Sequence, residues 1–170
     1  MAIISKKICM LGDFAVGKTS LVKRFVFDRF DDKYVSSIGV KVSRKSVVLP
    51  RHDGAVNLNM MLWDLAGSEK FNQVRASYLR GSSGAILVCD LTRSETLNAL
   101  SQYAKNVIGV NRDVKLVVVA NKVDLQFEHG IDENVIAEFA AQLSAPYFLT
   151  SAKSGQTVET VFRALGQRLL

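Results

Sequence analysis

Along the 170 residues, short apolar runs alternate with helical patterns. Residues 3–11 read as a first strand. Leu21, Val22 and Phe25 lie on one face of a helix predicted over 18–26. The polar stretch 28–39 has no clear period. Residues 40–49 and 55–63 read as two strands. His52-Asp53-Gly54 between them is a hairpin signal, so the two strands are expected to be antiparallel neighbours. A second irregular stretch, 64 to about 70, leads to a poorly patterned helix ending near Gly81. The alternation then becomes regular. Strand 85–90 precedes a helix marked by Leu97, Leu100, Ala104 and Val107. Strand 114–120 precedes a helix marked by Val135, Ile136, Phe139, Ala140 and Leu143. Strand 146–150 precedes a helix lined by Val158, Val161, Phe162, Leu165 and Leu169. Short, wholly apolar strands are those of a sheet covered on both faces. The pattern predicts the α/β class, with a six-stranded, mostly parallel sheet, one antiparallel edge strand and five flanking helices.

Neither repeats nor a linker divide the chain, and 170 residues are most simply one domain, 1–170. No apolar run reaches the ~18 residues of a transmembrane helix. Ser5-Lys6-Lys7 interrupts the first apolar run, which lacks the length and cleavage site of a signal peptide. Cys9 and Cys89 sit inside apolar runs and are expected to be buried free thiols, which fits a reducing cytoplasm.

Sheets of this kind bind ligands at the carboxyl ends of their strands. Four motifs fall there. Gly12-Asp13-Phe14-Ala15-Val16-Gly17-Lys18-Thr19, followed by Ser20, has the G-x-x-x-x-G-K-[ST] spacing of a phosphate-binding loop between a strand and a helix. Its glycines allow a tight turn whose N–H groups point inward at an anion, and the following helix adds its positive end. Lys18 can reach the β- and γ-phosphates and the Thr19 hydroxyl can ligate Mg²⁺. Asp64-Leu65-Ala66-Gly67 follows the third strand, Asn121-Lys122-Val123-Asp124-Leu125 the fifth, and Ser151-Ala152-Lys153 the sixth. The Asp124 carboxylate can accept two hydrogen bonds side by side. Guanine offers that donor pair and adenine does not. A site built on such bonds rejects an analogue lacking them by ~10⁴–10⁵.

The net charge of +6 is uneven. Residues 1–85 hold 14 Lys/Arg against 7 Asp/Glu, and residues 86–170 hold 8 against 9. Part of the excess complements a polyphosphate. The densest group, Lys41, Arg44, Lys45 and Arg51, fits a solvated strand edge as well as it fits an acidic partner or membrane surface. No nucleic-acid motif is present.

Together the phosphate loop, D-x-A-G, N-K-x-D and S-A-K resemble the Ras superfamily of small GTP-binding proteins, over the whole chain. Trp63 to Phe71, Ser77-Tyr78-Leu79-Arg80-Gly81 and Ser36-Ser37-Ile38-Gly39-Val40 are most similar to the Rab branch. The resemblance implies a switch that binds GTP or GDP with Mg²⁺, hydrolyses GTP, and acts in membrane traffic or signalling. Asp13 to Ser20 would hold the phosphates, with Lys18 and the Gly67 N–H at the γ-phosphate. Thr19 and Ser37 would ligate the metal and Asp64 would support it. Asn121, Lys122, Asp124, Leu125, Ser151, Ala152 and Lys153 would surround the base. Asn121 would also brace the loops, and the Ala152 N–H would bind the guanine oxygen. Tyr34 lies in the first switch, 30–40; the second spans about 64–78. Phe30 matches an aromatic over the guanine edge and is equally a core candidate, while Asp32 could reach the ribose or lie in water. Trp63 and Tyr78 match aromatics shown to effectors, with core packing as the other reading. Effector proteins, an exchange factor and an activating protein are the implied partners of a monomeric switch.

Three departures bear on catalysis. Ser68 stands where the family has the glutamine that orients the attacking water, and serine is too short for that task. Phe14 stands beside the γ-phosphate, where the family has a small residue. Ser37 replaces the usual threonine. Slow hydrolysis is expected, with Arg75 a candidate for charge stabilisation in cis. The alternatives are a GTP-binding scaffold without turnover and an ATPase or nucleotide kinase, against which Asp124 argues. The family's C-terminal prenylated cysteines have no counterpart in Gly166-Gln167-Arg168-Leu169-Leu170. That leaves a trimmed core or a protein brought to membranes by a partner.

Overall fold

The computed structural model describes residues 1–31, 39–65 and 72–170, with the side chains of 72–75 and of Gln126 also outside that description. The chain runs β1 (Ala2–Leu11), α1 (Lys18–Phe27), β2 (Val40–Arg51), β3 (Gly54–Leu65), α2 (Asn72–Leu79), β4 (Ser82–Asp90), α3 (Ser94–Val110), β5 (Lys115–Asn121), α4 (Glu133–Gln142), β6 (Tyr147–Thr150) and α5 (Val158–Arg168). The sheet order is β2-β3-β1-β4-β5-β6. Among the described residues only the β2–β3 pair is antiparallel, closed by the two-residue turn His52-Asp53 between paired Arg51 and Gly54. The expected small-GTPase architecture is therefore the one observed.

Alternate residues of the central strands enter two different cores, which is why these strands read as unbroken apolar runs. Ile8, Met10, Ile86, Val88, Val117 and Val119 pack beneath α1 and α5. Phe25 of α1 stacks on Phe162 of α5 with ring centres 4.0 Å apart. Cys9, Leu11, Leu87, Cys89, Val118 and Ala120 pack on the opposite face with Leu97, Leu100 and Val107 of α3 and Ile136 and Ala140 of α4. Both thiols are buried and free. Burial, reinforced by the neighbouring Asp90 charge, pushes Cys89 up to about 12, and burial raises Cys9. Both are thus poor nucleophiles at neutral pH.

Coverage on both faces holds at the centre and fails at the hairpin edge. Val56, Leu58, Met60 and Leu62 of β3 are buried toward α1 and α5, whereas Asn57, Asn59, Met61 and Trp63 on the other face are only partly covered. Val42 and Val48 of β2 are exposed there. β3 also runs two residues further than expected, so Asp64 and Leu65 belong to the strand and not to the irregular stretch. The longer β2–β3 ladder holds them, with Lys41 opposite Asp64 and Val40 opposite Leu65. Among the described residues no helix is long and apolar enough to cross a membrane.

Candidate nucleotide site

Gly12 to Thr19 turns from β1 into α1 beneath the loops that leave β4, β5 and β6. Two of its glycines are required by neighbours as well as by conformation. Gly12 has φ +153°, and a Cβ there would lie 2.3 Å from the Val88 carbonyl oxygen. Gly17 has φ +106°, and a Cβ there would lie 2.2 Å from Asn121 Nδ2. The second approach shows that the loop and the N-K-x-D motif are built against each other. Ala15 sits at φ +62°, a left-handed conformation unusual for a residue with a side chain. Lys18, buried, donates from Nζ to the Gly12 carbonyl at 2.8 Å and the Asp13 carbonyl at 3.1 Å. Its charge thus lies along the first half of the loop.

The Asn121 side chain reaches three segments of the chain. Its Nδ2 donates to the Val16 carbonyl at 3.0 Å. Its Oδ1 accepts from the Thr150 hydroxyl at 3.0 Å and from the Ala152 N–H at 3.2 Å. One amide at the end of β5 therefore joins the phosphate loop to β6 and the loop after it. Beside it, the Ser151 hydroxyl donates to Asp124 Oδ1 at 2.8 Å and accepts from the Ser154 N–H at 3.0 Å. This fixes the Asp124 carboxylate at the mouth of the site, where it is exposed. Lys122 adopts φ +73° at the start of a 3₁₀ turn, Val123–Glu128, that the apolar pattern did not predict. Leu125 and Lys153 are exposed and Ser20 is half-buried.

At the other end, the Thr19 hydroxyl donates to Asp64 Oδ2. Asp64 is buried, and its Oδ1 has no hydrogen-bond partner among the described residues. Burial pushes this carboxyl up, against the Thr19 hydrogen bond and the charges of Lys18 and Lys41. An ionisable oxygen left unmet beside a hydroxyl, both hard donors, suits a small divalent cation such as Mg²⁺. The chain's residues therefore fit that ion. Asp32, Tyr34, Ser37, Gly67 and Ser68 lie outside the described residues, as does the Arg75 side chain. Phe14 is half exposed at the loop, and Phe30 is half-buried against the α1–α5 core.

Several residues that shape the site carried no chemical signature in the sequence. Arg24 of α1 donates to the Ala152 carbonyl at 2.9 Å and to the Lys153 carbonyl, so the S-A-K loop hangs from α1. Asp90, buried at the end of β4, accepts from Lys122 Nζ at 2.8 Å, Arg93 Nε at 3.1 Å, and the Thr92 N–H and hydroxyl. Burial raises this carboxyl, but Lys122 and Thr92 outweigh it and the net shift is downward. A carboxylate ending an apolar strand was the available signal, since such a group is rarely buried unpaired. Lys7 of β1 donates to the carbonyls of Tyr78 and Arg80 (2.8 Å for the latter) and lies 3.7 Å from the centre of the Trp63 ring. Trp63 and Tyr78, ring centres 6.4 Å apart, are partly buried over this ammonium. In the basic group, Lys45 lies 5.8 Å over the Phe25 ring and Arg51 pairs with Asp53 at 2.9 Å, while Lys41 and Arg44 are exposed on the edge strand.

A strand–loop–helix phosphate cradle on a mostly parallel sheet, clasped by a base-side loop, defines a phosphate-loop nucleotide-binding domain. Comparison with known proteins narrows the class. The Ras family model matches residues 7–170. The chain is 34% identical over 160 residues to the Ras-related protein Rab-1C of Dictyostelium discoideum, covering 92% of this chain and 76% of that protein. It is 33% identical over 160 residues to the GTP-binding protein YPTM1 of Zea mays, covering 94% of this chain and 75% of that protein. The chain belongs to the Ras family, as a Rab-like small GTPase.

Proposed function

We propose that this protein is a guanine-nucleotide switch that binds GTP or GDP with Mg²⁺, hydrolyses GTP slowly, and signals through the loops at about 30–40 and 64–78. The observation that carries the reading is the Asn121 clasp. It holds a phosphate loop and an Asp124 carboxylate at one sheet edge, one suited to a polyphosphate and the other to a guanine base. The loop's N–H groups and the α1 N-terminus receive the phosphates. Lys18, lying on the loop's carbonyls, swings or slides its ammonium onto the outer phosphates. Thr19, with Asp64 supporting it, would hold the metal, which would supply positive charge beside the phosphates. Asp124 selects guanine. Hydrolysis of this kind is mainly positioning and charge stabilisation, so serine at 68 and the phenyl ring at 14 lower the rate without weakening binding. An activating protein supplies the missing group, an exchange factor releases GDP, and effectors read the loops.

Single-turnover hydrolysis of GTP, with and without cell extract, tests this. Slow phosphate release is expected from the protein alone, and Ser68→Gln is expected to raise it at least tenfold, each tenfold being about 1.4 kcal/mol of barrier. Phosphate release in neither condition leaves the scaffold reading in its place. Nucleotide extracted from the purified protein reports the same balance, with surviving GTP marking slow turnover.

A further inference from the structure

We propose that Arg93 is a positioning residue for the phosphate loop, tying its outer half to the base-side loop through the buried Asp90 carboxylate. This rests on the guanine-nucleotide reading above. The Arg93 guanidinium donates from Nη2 to the Phe14 carbonyl at 2.7 Å and from Nε to Asp90 Oδ2 at 3.1 Å. The same Asp90 oxygen takes the Lys122 ammonium at 2.8 Å. Base loop, β4 and phosphate loop thus share one carboxylate. Planar guanidinium suits this bridge because its donors diverge in fixed directions, whereas an ammonium is a point charge on a flexible stem.

The peptide being held is the one that needs holding. Phe14 precedes Ala15, whose left-handed conformation costs free energy and persists only where surroundings enforce it. The hydrogen bond that the Phe14 carbonyl accepts from Arg93 fixes that peptide plane, and with it the direction of the following N–H. A second tie comes from the same helix: the Tyr103 hydroxyl and Asp13 Oδ1 lie 3.0 Å apart in a hydrogen bond. Two consecutive loop residues are therefore anchored to α3 or its entry. Arg93 is the N-cap residue of that helix, and its guanidinium, which carries only donors, is directed to the Phe14 carbonyl and Asp90. Removing Arg93 leaves Asp90 with Lys122 and both Thr92 donors, so no buried charge is stranded.

The test compares GDP with GMP, each displacing a fluorescent GDP analogue from the full protein at fixed Mg²⁺. A loop that grips the β-phosphate contributes to GDP binding and little to GMP binding. Arg93→Ala is expected to lower the GDP-over-GMP affinity ratio about tenfold, equivalent to about 1.4 kcal/mol. General destabilisation would weaken both ligands alike. Arg93→Lys keeps the charge and loses the fork, so a drop of about threefold is expected; it is also the variant to measure if the alanine form does not fold. Tyr103→Phe should move the ratio in the same direction by a smaller factor. A ratio within twofold of wild type in both Arg93 variants overturns the proposal. A wild-type protein that binds neither nucleotide overturns the underlying reading instead.

Discussion

The two ends of the site are built on different principles. At the base end, polar groups meet one another. Asn121 has three partners in three segments, Ser151 bridges Asp124 and Ser154, and Arg24 holds two carbonyls. At the Thr19 end, Asp64 is buried with one oxygen on Thr19 and the other without a partner among the described residues. A satisfied network is rigid, and a buried charge without full pairing costs stability. The base end is preorganised by the chain, while the Thr19 end carries polarity that suits a cation. Among the described residues the two ends thus differ in how fully their polar groups are paired.

The largest expected effect breaks the base end. Asp124→Asn should shift preference from guanine toward xanthine nucleotides, with GTP affinity falling by ~10³ or more, since a donor then faces a donor. Competition binding with GTP, XTP and ATP reads it; undiminished GTP affinity would remove Asp124 from its assigned role. Asn121→Ala should be next. It strands the Val16 carbonyl and frees two donors, at about 1–3 kcal/mol for each unsatisfied group. Release of fluorescent GDP should quicken about 100-fold, and a change under threefold would mean the clasp is not what holds the loops.

A third variant sharpens the contrast by moving two readouts in opposite directions. The Asp64 carboxyl is raised by burial, so it binds its proton more tightly folded than unfolded. Its ionisation therefore costs stability. The contribution is favourable below the unfolded value and is lost as pH rises through the folded one. Asp64→Asn removes that penalty. In metal-free buffer at neutral pH the melting midpoint should rise by about 2–4 °C, and its increase on acidification should flatten. The Mg²⁺ dependence of GTP affinity should weaken at the same time. A lower midpoint would show that the carboxylate is better paired than its surroundings indicate. The smallest effect belongs to Lys7→Met, remote from both ends. It strips the Tyr78 and Arg80 carbonyls of their charged donor at about 1 kcal/mol. Faster hydrogen exchange near the end of α2 and altered Trp63 fluorescence should appear, with GDP release changed less than twofold.

Much of this was legible in the residues alone, for identifiable reasons. Strand and helix positions followed from periodicity, because a strand buried on both faces has few ways to be encoded other than a short apolar run. The hairpin followed from His52-Asp53-Gly54. The strand ends were less legible: β3 extends to Leu65 because Lys41 and Val40 pair across from it, and such pairing is a property of two distant segments. Arg24, Arg93 and Lys7 carry no such signal because each donates to backbone carbonyls, which look the same at every position of a sequence, and Asp90 because its charged partners lie on other segments or depend on the local turn.

Residue identity alone determined the chemistry on offer: a glycine-bounded turn suited to an anion, an aspartate able to accept two hydrogen bonds side by side, and a hydroxyl and carboxylate suited to a hard cation. Those are properties of functional groups at fixed spacings. Only the tertiary structure decided which groups meet. Gly17 could have been required by its conformation alone, yet it is also the one residue small enough to let Asn121 reach the Val16 carbonyl. Asp90 could have been a strand terminus, yet it is the carboxylate that Lys122 and Arg93 share. Spacing along a chain specifies local geometry. Contacts between residues 79 to 105 positions apart, such as Arg93 with Phe14 and Asn121 with Val16, exist only once the sheet has brought its strand ends to one edge.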